Sequence, residues 1–365
     1  MLAPLYSPLP ITVERAEGVR IFTDRGEFLD CYSGIGVMAM GHSYGPTLKA
    51  IEAKAGRHLH LGNYFLDPDA LSMAEAVLAL DGREGQVAFS NSGAEATEAA
   101  IKAVKALRPG KIISFKGNFH GRTCGSLSIT WGPGIRKPFE PLLSDGIFLP
   151  RSGECLRLFC EANEVAAVFL ETVQGNSGIL PCSEDLAETI RSLHEEGRFL
   201  LVADEIQSGL GRTGKGYGYR HYGLKPDLVT LGKGLGGGLP LGALMAFGCS
   251  PFAQGEHGST FAPNPLSLAA GLPVLRAMTD EFLSEVTRKG RLLSEGLRGL
   301  PWVDSVRGLG LMIGAVTEDA GAVRQVAFDR GVLLNVAGGA IRFLPALNVT
   351  DDEIEEMLDK LNFSI

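Results

Sequence analysis

The sequence is short of cationic charge, of paired cysteines and of unbroken apolar stretches. Lys and Arg number 34 against 42 Asp and Glu, for a formal charge of -8. A nucleic acid or an anionic membrane therefore finds no electrostatic support as a partner. The six cysteines, Cys31, Cys124, Cys155, Cys160, Cys182 and Cys249, form no C-x-x-C pair, and they read as free thiols of a reducing cytoplasm. Met1 to Glu14 holds no Lys or Arg and no long apolar core, so it does not read as a secretory signal. The longest uncharged stretch, Gly234 to Gly255, is broken by Gly236, Gly237, Gly238, Pro240 and Pro251. It cannot form one membrane-crossing helix and reads as a loop followed by a short strand. His58 and His60 lack a third ligand at matching spacing, so they read as a solvated helix face rather than a metal site.

What is present is an ordinary globular balance: 365 residues, 45% hydrophobic and 21% charged, enough for a large core and two domains. Val19 to Leu29 alternates around Asp24-Arg25-Gly26 and reads as a hairpin. A helix is expected from about Pro46. Gln86 to Phe89 reads as a strand, Asn91-Ser92-Gly93-Ala94 as the start of a helix to about Leu107, and Lys111 to Phe115 as a further strand. Val165 to Glu171 is a strand ending in a carboxylate, and Ser183 caps a helix whose first turn carries Glu184 and Asp185. Such alternation predicts an α/β fold with a mainly parallel sheet. Nearer the carboxyl end, an apolar-periodic helix is expected from about Pro263. Arg307 to Val316, Val332 to Asn335 and Ala340 to Pro345 read as strands. Thr350-Asp351-Asp352-Glu353 is a capping box opening the last helix.

Phe199 to Lys233 organises the chain. Phe199-Leu200-Leu201-Val202-Ala203 reads as a buried strand ending on Asp204 and Glu205, followed by Ile206-Gln207. Pro226 to Leu231 reads as a second strand, followed by Gly232-Lys233-Gly234. Open α/β sheets place ligands at the carboxyl ends of their strands. Asp204 and Lys233 are thus expected to face one pocket. A lysine amine and a carboxylate so placed are the two groups that pyridoxal phosphate requires, one for the Schiff base and one for the pyridinium nitrogen. Gly232 to Gly237 also satisfies G-x-G-x-x-G, but turn and strand residues follow it where a dinucleotide fingerprint needs a helix.

Other signals admit two readings each. The Ser92-Gly93 turn offers backbone N–H groups to a phosphate, or is only a helix cap. Phe119 and Arg122 could stack on a flat ring and grip a carboxylate, or be a core phenylalanine and a surface arginine. Arg342, inside an apolar strand, needs an anionic partner, either a structural salt bridge or a ligand carboxylate.

These motifs, taken in order, resemble those of the class III (ω-) aminotransferases of the fold-type I pyridoxal-phosphate group, and among them the acetylornithine type. The resemblance implies a large sheet domain over 46–265. It implies a smaller α+β domain made of 266–365, with its linking helix, and the segment 1–45. It implies pyridoxal 5'-phosphate on Lys233, with Asp204 holding the ring nitrogen protonated and Gln207 at the ring's phenolic oxygen. Gly93 and Ala94 would take the phosphate, Phe119 would stack on the ring, and Glu205 and Ile206 would complete the cofactor contacts. Arg122, Ser259, Glu171 and Arg342 would contact substrate, and Thr260 would reach the phosphate of a partner subunit in a homodimer with shared sites.

The implied reaction moves a terminal amine from N-acetylornithine, or a similar ω-amino acid, to 2-oxoglutarate in arginine or lysine biosynthesis. Ornithine, succinylornithine, N-succinyldiaminopimelate, 4-aminobutyrate or a carrier-linked substrate suit the same scaffold. An aminomutase and a non-catalytic cofactor-binding protein are the readings from other classes. The chain departs from the family at Ser43-Tyr44-Gly45-Pro46, in place of a histidine and proline, and at Asn176, in place of a glutamate that can mask Arg342. A neutral amide cannot neutralise a guanidinium.

Overall fold

A computed structural model describes residues 3–144 and 146–364. Its centre is a seven-stranded sheet. The strands are β1 (Gln86–Ser90), β2 (Lys111–Phe115), β3 (Ile147–Leu149), β4 (Val165–Leu170), β5 (Leu200–Asp204), β6 (Leu228–Leu231) and β7 (Gly242–Ala246), in the spatial order β1-β7-β6-β5-β4-β2-β3. Neighbours from β6 to β3 are parallel, and β7 alone runs against both of its neighbours. The connection from Leu231 to Gly242 is too short for a crossover helix, so β7 must return antiparallel. All residues of β4, β6 and β7 are buried. That is why these strands read as continuous apolar runs rather than alternating ones.

The parallel register decides where the chemistry sits. Asp204 pairs with Thr230, so the residues after β5 and β6 leave the sheet side by side. Since β7 opposes both β1 and β6, β1 ends at that same edge, and the helix Gly93–Leu107 starts there.

A second core gathers both ends of the chain. Val13–Glu17, Arg20–Thr23 and Gly26–Asp30 form a meander closed by Val332–Leu333. The turn falls where the alternation placed it, with Thr23 paired to Gly26. Ser305–Leu309, Met312–Val316, Ala340–Phe343 and Asn335–Ala337 form another four-stranded sheet. Val19 and Leu29 share a buried cluster with Leu293, Ile341 and Ile354. The final helix, Asp351–Leu361, opens on the reciprocal cap of Thr350 and Glu353.

His58 and His60 correct one expectation. They follow the end of the helix Gly45–Ala55 instead of lying on its face. His58 Nε2 stands 3.8 Å from Asp67, and His60 packs on Phe261. Among the described residues no cluster of three potential metal ligands occurs, and no helix is long and apolar enough to cross a membrane.

Candidate active site

Three strand ends converge on a cavity of about 340 Å³. Beyond β1, Ser92 caps the helix by accepting from the Glu95 N–H at 3.2 Å. The first N–H groups of a helix have no partner within it and favour anions; here those residues, Gly93 and Ala94, line the cavity. A Cβ on Gly93 would stand 2.8 Å from Ile206, so only glycine lets Ile206 close against this turn.

Beyond β6, Lys233 adopts φ +47°, a left-handed conformation that is costly for a residue with a side chain. Strain of this kind survives where the surroundings over-determine it. Gly232 and Gly234 flank the strained residue, and the Lys233 side chain lines the same cavity. Burial pushes the pKa of its amine down, Asp204 and Glu171 pull it back up, and the Arg342 charge pushes it down further.

Asp204, the last residue of β5, is 5% exposed. Its Oδ1 accepts from the Ile206 N–H at 3.1 Å, and its Oδ2 meets His120 Nδ1 at 2.6 Å. Glu205 corrects the expectation of a cofactor contact. Successive side chains of an extended segment point to opposite sides, and Glu205 faces away from the cavity. Its carboxylate accepts from the N–H groups of Gly218 at 2.8 Å and Tyr219 at 2.9 Å and from Ser208 Oγ at 2.9 Å. Burial pushes its pKa up to about 7. Glu205 is an anchor for the loop after β5.

Glu171 lines the cavity, but its oxygens accept from the backbone N–H of Phe119 at 2.7 Å and of Gly175 at 3.4 Å. It frames two cavity-wall segments, and burial pushes its pKa up to about 7. Phe119, Ile206 and Gln207 complete that wall. Arg122 stands exposed at the mouth, where its Nη1 donates to the Tyr6 hydroxyl at 3.3 Å.

Arg342 has the opposite setting. It is 3% exposed, and all its partners are neutral. Nε and Nη2 donate to Asn335 Oδ1 at 3.0 and 2.6 Å. Nη1 donates to the Gly175 carbonyl at 3.1 Å, Asn176 Oδ1 at 3.0 Å and Gln207 Oε1 at 3.4 Å. Among the described residues no carboxylate pairs with it, which removes the structural salt bridge as its explanation. Burial pushes its pKa down to about 10, against the nearby Glu171 charge. Its positive charge is thus met only by neutral oxygens, a setting in which an anion would be favoured.

Ser259 and Thr260 lie outside the cavity of their own chain. Ser259 Oγ accepts from Asn91 Nδ2 at 3.0 Å, next to the helix turn, and Thr260 is exposed. A larger cleft, of about 1000 Å³, runs beside Leu80, Lys215 and Arg276. It contains no buried titratable group, and the chemistry resides in the smaller cavity.

Three contributors escape a reading of the sequence. Tyr6 comes from an extended arm with no local pattern. Asn335 becomes a partner of Arg342 only through the strand register that sets the two side by side. His120 stands between Phe119 and Arg122, yet its contact with Asp204 joins residues 84 apart.

Taken together, the pocket offers a half-buried amine of lowered basicity, a carboxylate held from two sides, the first turn of a helix and the arginine at its mouth, while Arg342 lies outside the lining and is bonded to its wall residues Asn176 and Gln207. The family model for class III aminotransferases matches residues 1–365. The acetylornithine aminotransferase of Caldanaerobacter subterraneus subsp. tengcongensis is 39% identical, covering 99% of this chain and 96% of the relative. That of Aquifex aeolicus is 37% identical, covering 98% and 97%. Among solved structures, the N-acetylornithine aminotransferase of Stenotrophomonas maltophilia superposes with a TM-score of 0.82 at 33% identity, covering 97% and 95%. An ornithine aminotransferase of Toxoplasma gondii does so at 0.91 and 27%, covering 99% and 90%. The sheet edge, its strained lysine and these full-length likenesses agree: the chain belongs to the class III aminotransferases.

Proposed function

We propose that this aminotransferase takes the terminal amine of N-acetylornithine, or of a similar ω-amino acid, and passes it to 2-oxoglutarate, releasing the semialdehyde and glutamate. The observation that carries the reading is a half-buried, strained lysine with one arginine at the mouth and another walled in by carbonyls. Two anchors for carboxylates suit two substrates that present their carboxylates at different distances from the reacting carbon. The relatives' names favour the N-acetylated donor, and with it a place in arginine biosynthesis in the cytoplasm.

The residues present fit the family's cofactor, pyridoxal 5'-phosphate. Lys233 supplies the amine, Asp204 the carboxylate for the ring nitrogen, Gly93 and Ala94 the N–H groups for the phosphate, and Phe119 and Ile206 the flat walls. Gln207 would serve the phenolic oxygen. When bound, the cofactor supplies an aldehyde that takes up the amino group and a ring that accepts electrons from the neighbouring carbon.

The chain's own groups do the rest. A lowered pKa leaves more of the Lys233 amine uncharged near neutrality, able to attack a carbonyl and then to carry a proton between two carbons of the bound pair. Asp204 would face the ring nitrogen and hold a proton there. Arg122 holds the donor's α-carboxylate at the mouth, helped by Tyr6. Arg342 takes the carboxylate beside the oxo group of 2-oxoglutarate. Glu171 keeps Phe119 and Gly175 in place, so that both walls hold their spacing.

Assembly as a homodimer belongs to the same reading. Tyr64, Phe65 and Leu66 are 96%, 68% and 75% exposed, and Phe261, next to Thr260, is 62% exposed. Clustered exposed apolar residues of this size mark an interface, and a second copy would carry Thr260 to a neighbouring site. The division into 1–45, 46–265 and 266–365 is part of the same proposal; buried clusters that meet at the linking helix Pro265–Arg276 support it.

A panel of amine donors tests the donor assignment. N-acetylornithine should bleach the absorption of the cofactor-loaded enzyme, and 2-oxoglutarate should restore it. Bleaching by ornithine or 4-aminobutyrate at higher kcat/KM would reassign the donor. Turnover without any oxo acid would indicate an aminomutase instead.

A further inference from the structure

Behind Asp204 lies a chain of four buried side chains whose hydrogens can be placed by logic alone. Gln174 Nε2 faces the Lys116 carbonyl at 2.9 Å. A backbone carbonyl only accepts, so this end of Gln174 must be its NH₂ group. The same nitrogen faces Asn118 at 2.7 Å, which makes that Asn118 atom the oxygen. The other end of Asn118 is then NH₂. A second carbonyl, that of Phe169 at 3.2 Å, independently demands a donor there. That NH₂ group meets His120 Nε2 at 3.1 Å and, further off at 3.4 Å, Ser114 Oγ; an amide nitrogen accepts from neither. His120 Nε2 must therefore accept, which leaves the ring proton on Nδ1, 2.6 Å from Asp204 Oδ2. Gln174, Asn118, His120 and Asp204 are 1%, 1%, 2% and 5% exposed, so bulk water offers no alternative partners.

We infer that Asn118 and Gln174 are positioning residues for the transamination, which fix His120 as the neutral Nδ1–H tautomer, so that it donates to Asp204 Oδ2 and holds that carboxylate in orientation. The opposite tautomer would aim a lone pair at the carboxylate and place two N–H groups against each other at Asn118. A second proton on the ring would give Asp204 a cationic partner in competition with the ring nitrogen it serves. The Lys116 and Phe169 carbonyls, fixed in the backbone, thus set the charge state one shell away from the cofactor. The inference rests on the aminotransferase reading for its consequence, but the proton placement is independent of it.

The test is ¹⁵N nuclear magnetic resonance of histidine ring nitrogens in the full-length, cofactor-loaded protein, with His120 assigned by its loss in His120→Asn. The wild type should show Nδ1 protonated and Nε2 bare. In Asn118→Asp the new carboxylate accepts at Nε2, and both ring nitrogens should move to the protonated range. In the same variant kcat should fall about a hundredfold, the upper end of the loss when the outer hydrogen-bond partner of a functional histidine is changed, with KM for the donor within about twofold. A wild-type proton on Nε2 would overturn the inference, as would an Asn118→Asp spectrum and kcat like those of the wild type. The wild-type spectrum decides alone should the variant not fold. A protein with the expected spectrum but no turnover with any donor would contradict the aminotransferase reading and leave the tautomer assignment standing.

Discussion

Arg122 and Arg342 carry the same charge in opposite surroundings, and the difference governs what each can select. Arg122 is exposed and shared with Tyr6, so it gains little from any one ligand. Arg342 is buried against carbonyl oxygens, so a carboxylate supplied by a ligand is its first full counter-charge. Replacing Asn176, which donates no charge, with glutamate would provide that counter-charge permanently. Asn176→Glu should raise KM for 2-oxoglutarate about tenfold or more, the loss of roughly 1.4 kcal/mol, while the amine half-reaction keeps its rate within about threefold. Equal effects on both half-reactions, measured in single turnover, would contradict this view. At the same scale, Lys233 attacks only as the free amine. Since burial lowers its pKa, the free amine persists to lower pH than in an ordinary lysine. Capture of pyridoxal phosphate by the cofactor-free protein should therefore rise with pH through a midpoint below 10.5, the ordinary lysine value. Asp204→Asn removes a charge that holds the amine's pKa up, so that midpoint should move down further. A midpoint at or above 10.5 would contradict the assigned environment.

At the scale of elements, the site depends on how closely three strand ends approach. The turn before the helix Gly93–Leu107 touches Ile206 with no room for a methyl group. Gly93→Ala should push Ile206 or the helix start aside, weakening cofactor binding by about tenfold or more while the thermal transition of the cofactor-free protein moves little. Unchanged cofactor affinity by fluorescence titration would show that the turn does not hold the phosphate. Elements were also the most legible part of the sequence. The strands at Lys111 and Gln86, the helix to Leu107 and the box at Thr350 appear where apolar runs and caps put them, because each is specified by neighbours along the chain. The antiparallel return of β7 follows from a short connection. The direction of the Glu205 side chain follows from alternation beyond Asp204, but its partners, the N–H groups of Gly218 and Tyr219, lie 13 and 14 residues further on and were not legible. His58 and His60 lie beyond the helix, which stops at Ala55 with Gly56 as its cap, a stop signal that the sequence did carry.

For the whole molecule, the sequence showed two strand ends sharing one edge, and the structure supplied what spans long distances. Tyr6 reaches Arg122 across 116 residues, and Asn335 reaches Arg342 across a strand pair. No periodicity records such contacts. The exposed Tyr64-Phe65-Leu66 loop and Phe261 belong to this scale too. Phe65→Asp with Phe261→Asp should shift the mass in solution from about two chains to one and lower cofactor affinity, because Thr260 would no longer reach a second site. A wild-type protein that is a monomer by light scattering and fully active would remove the shared-site view. The central claim, that the cofactor is held covalently at the strained turn after β6, has a direct measurement. The protein loaded with pyridoxal phosphate is reduced with borohydride, digested and mapped by mass spectrometry. The account predicts a stable pyridoxyl group on Lys233 and its loss in Lys233→Ala; a label on another lysine, or none, would contradict it.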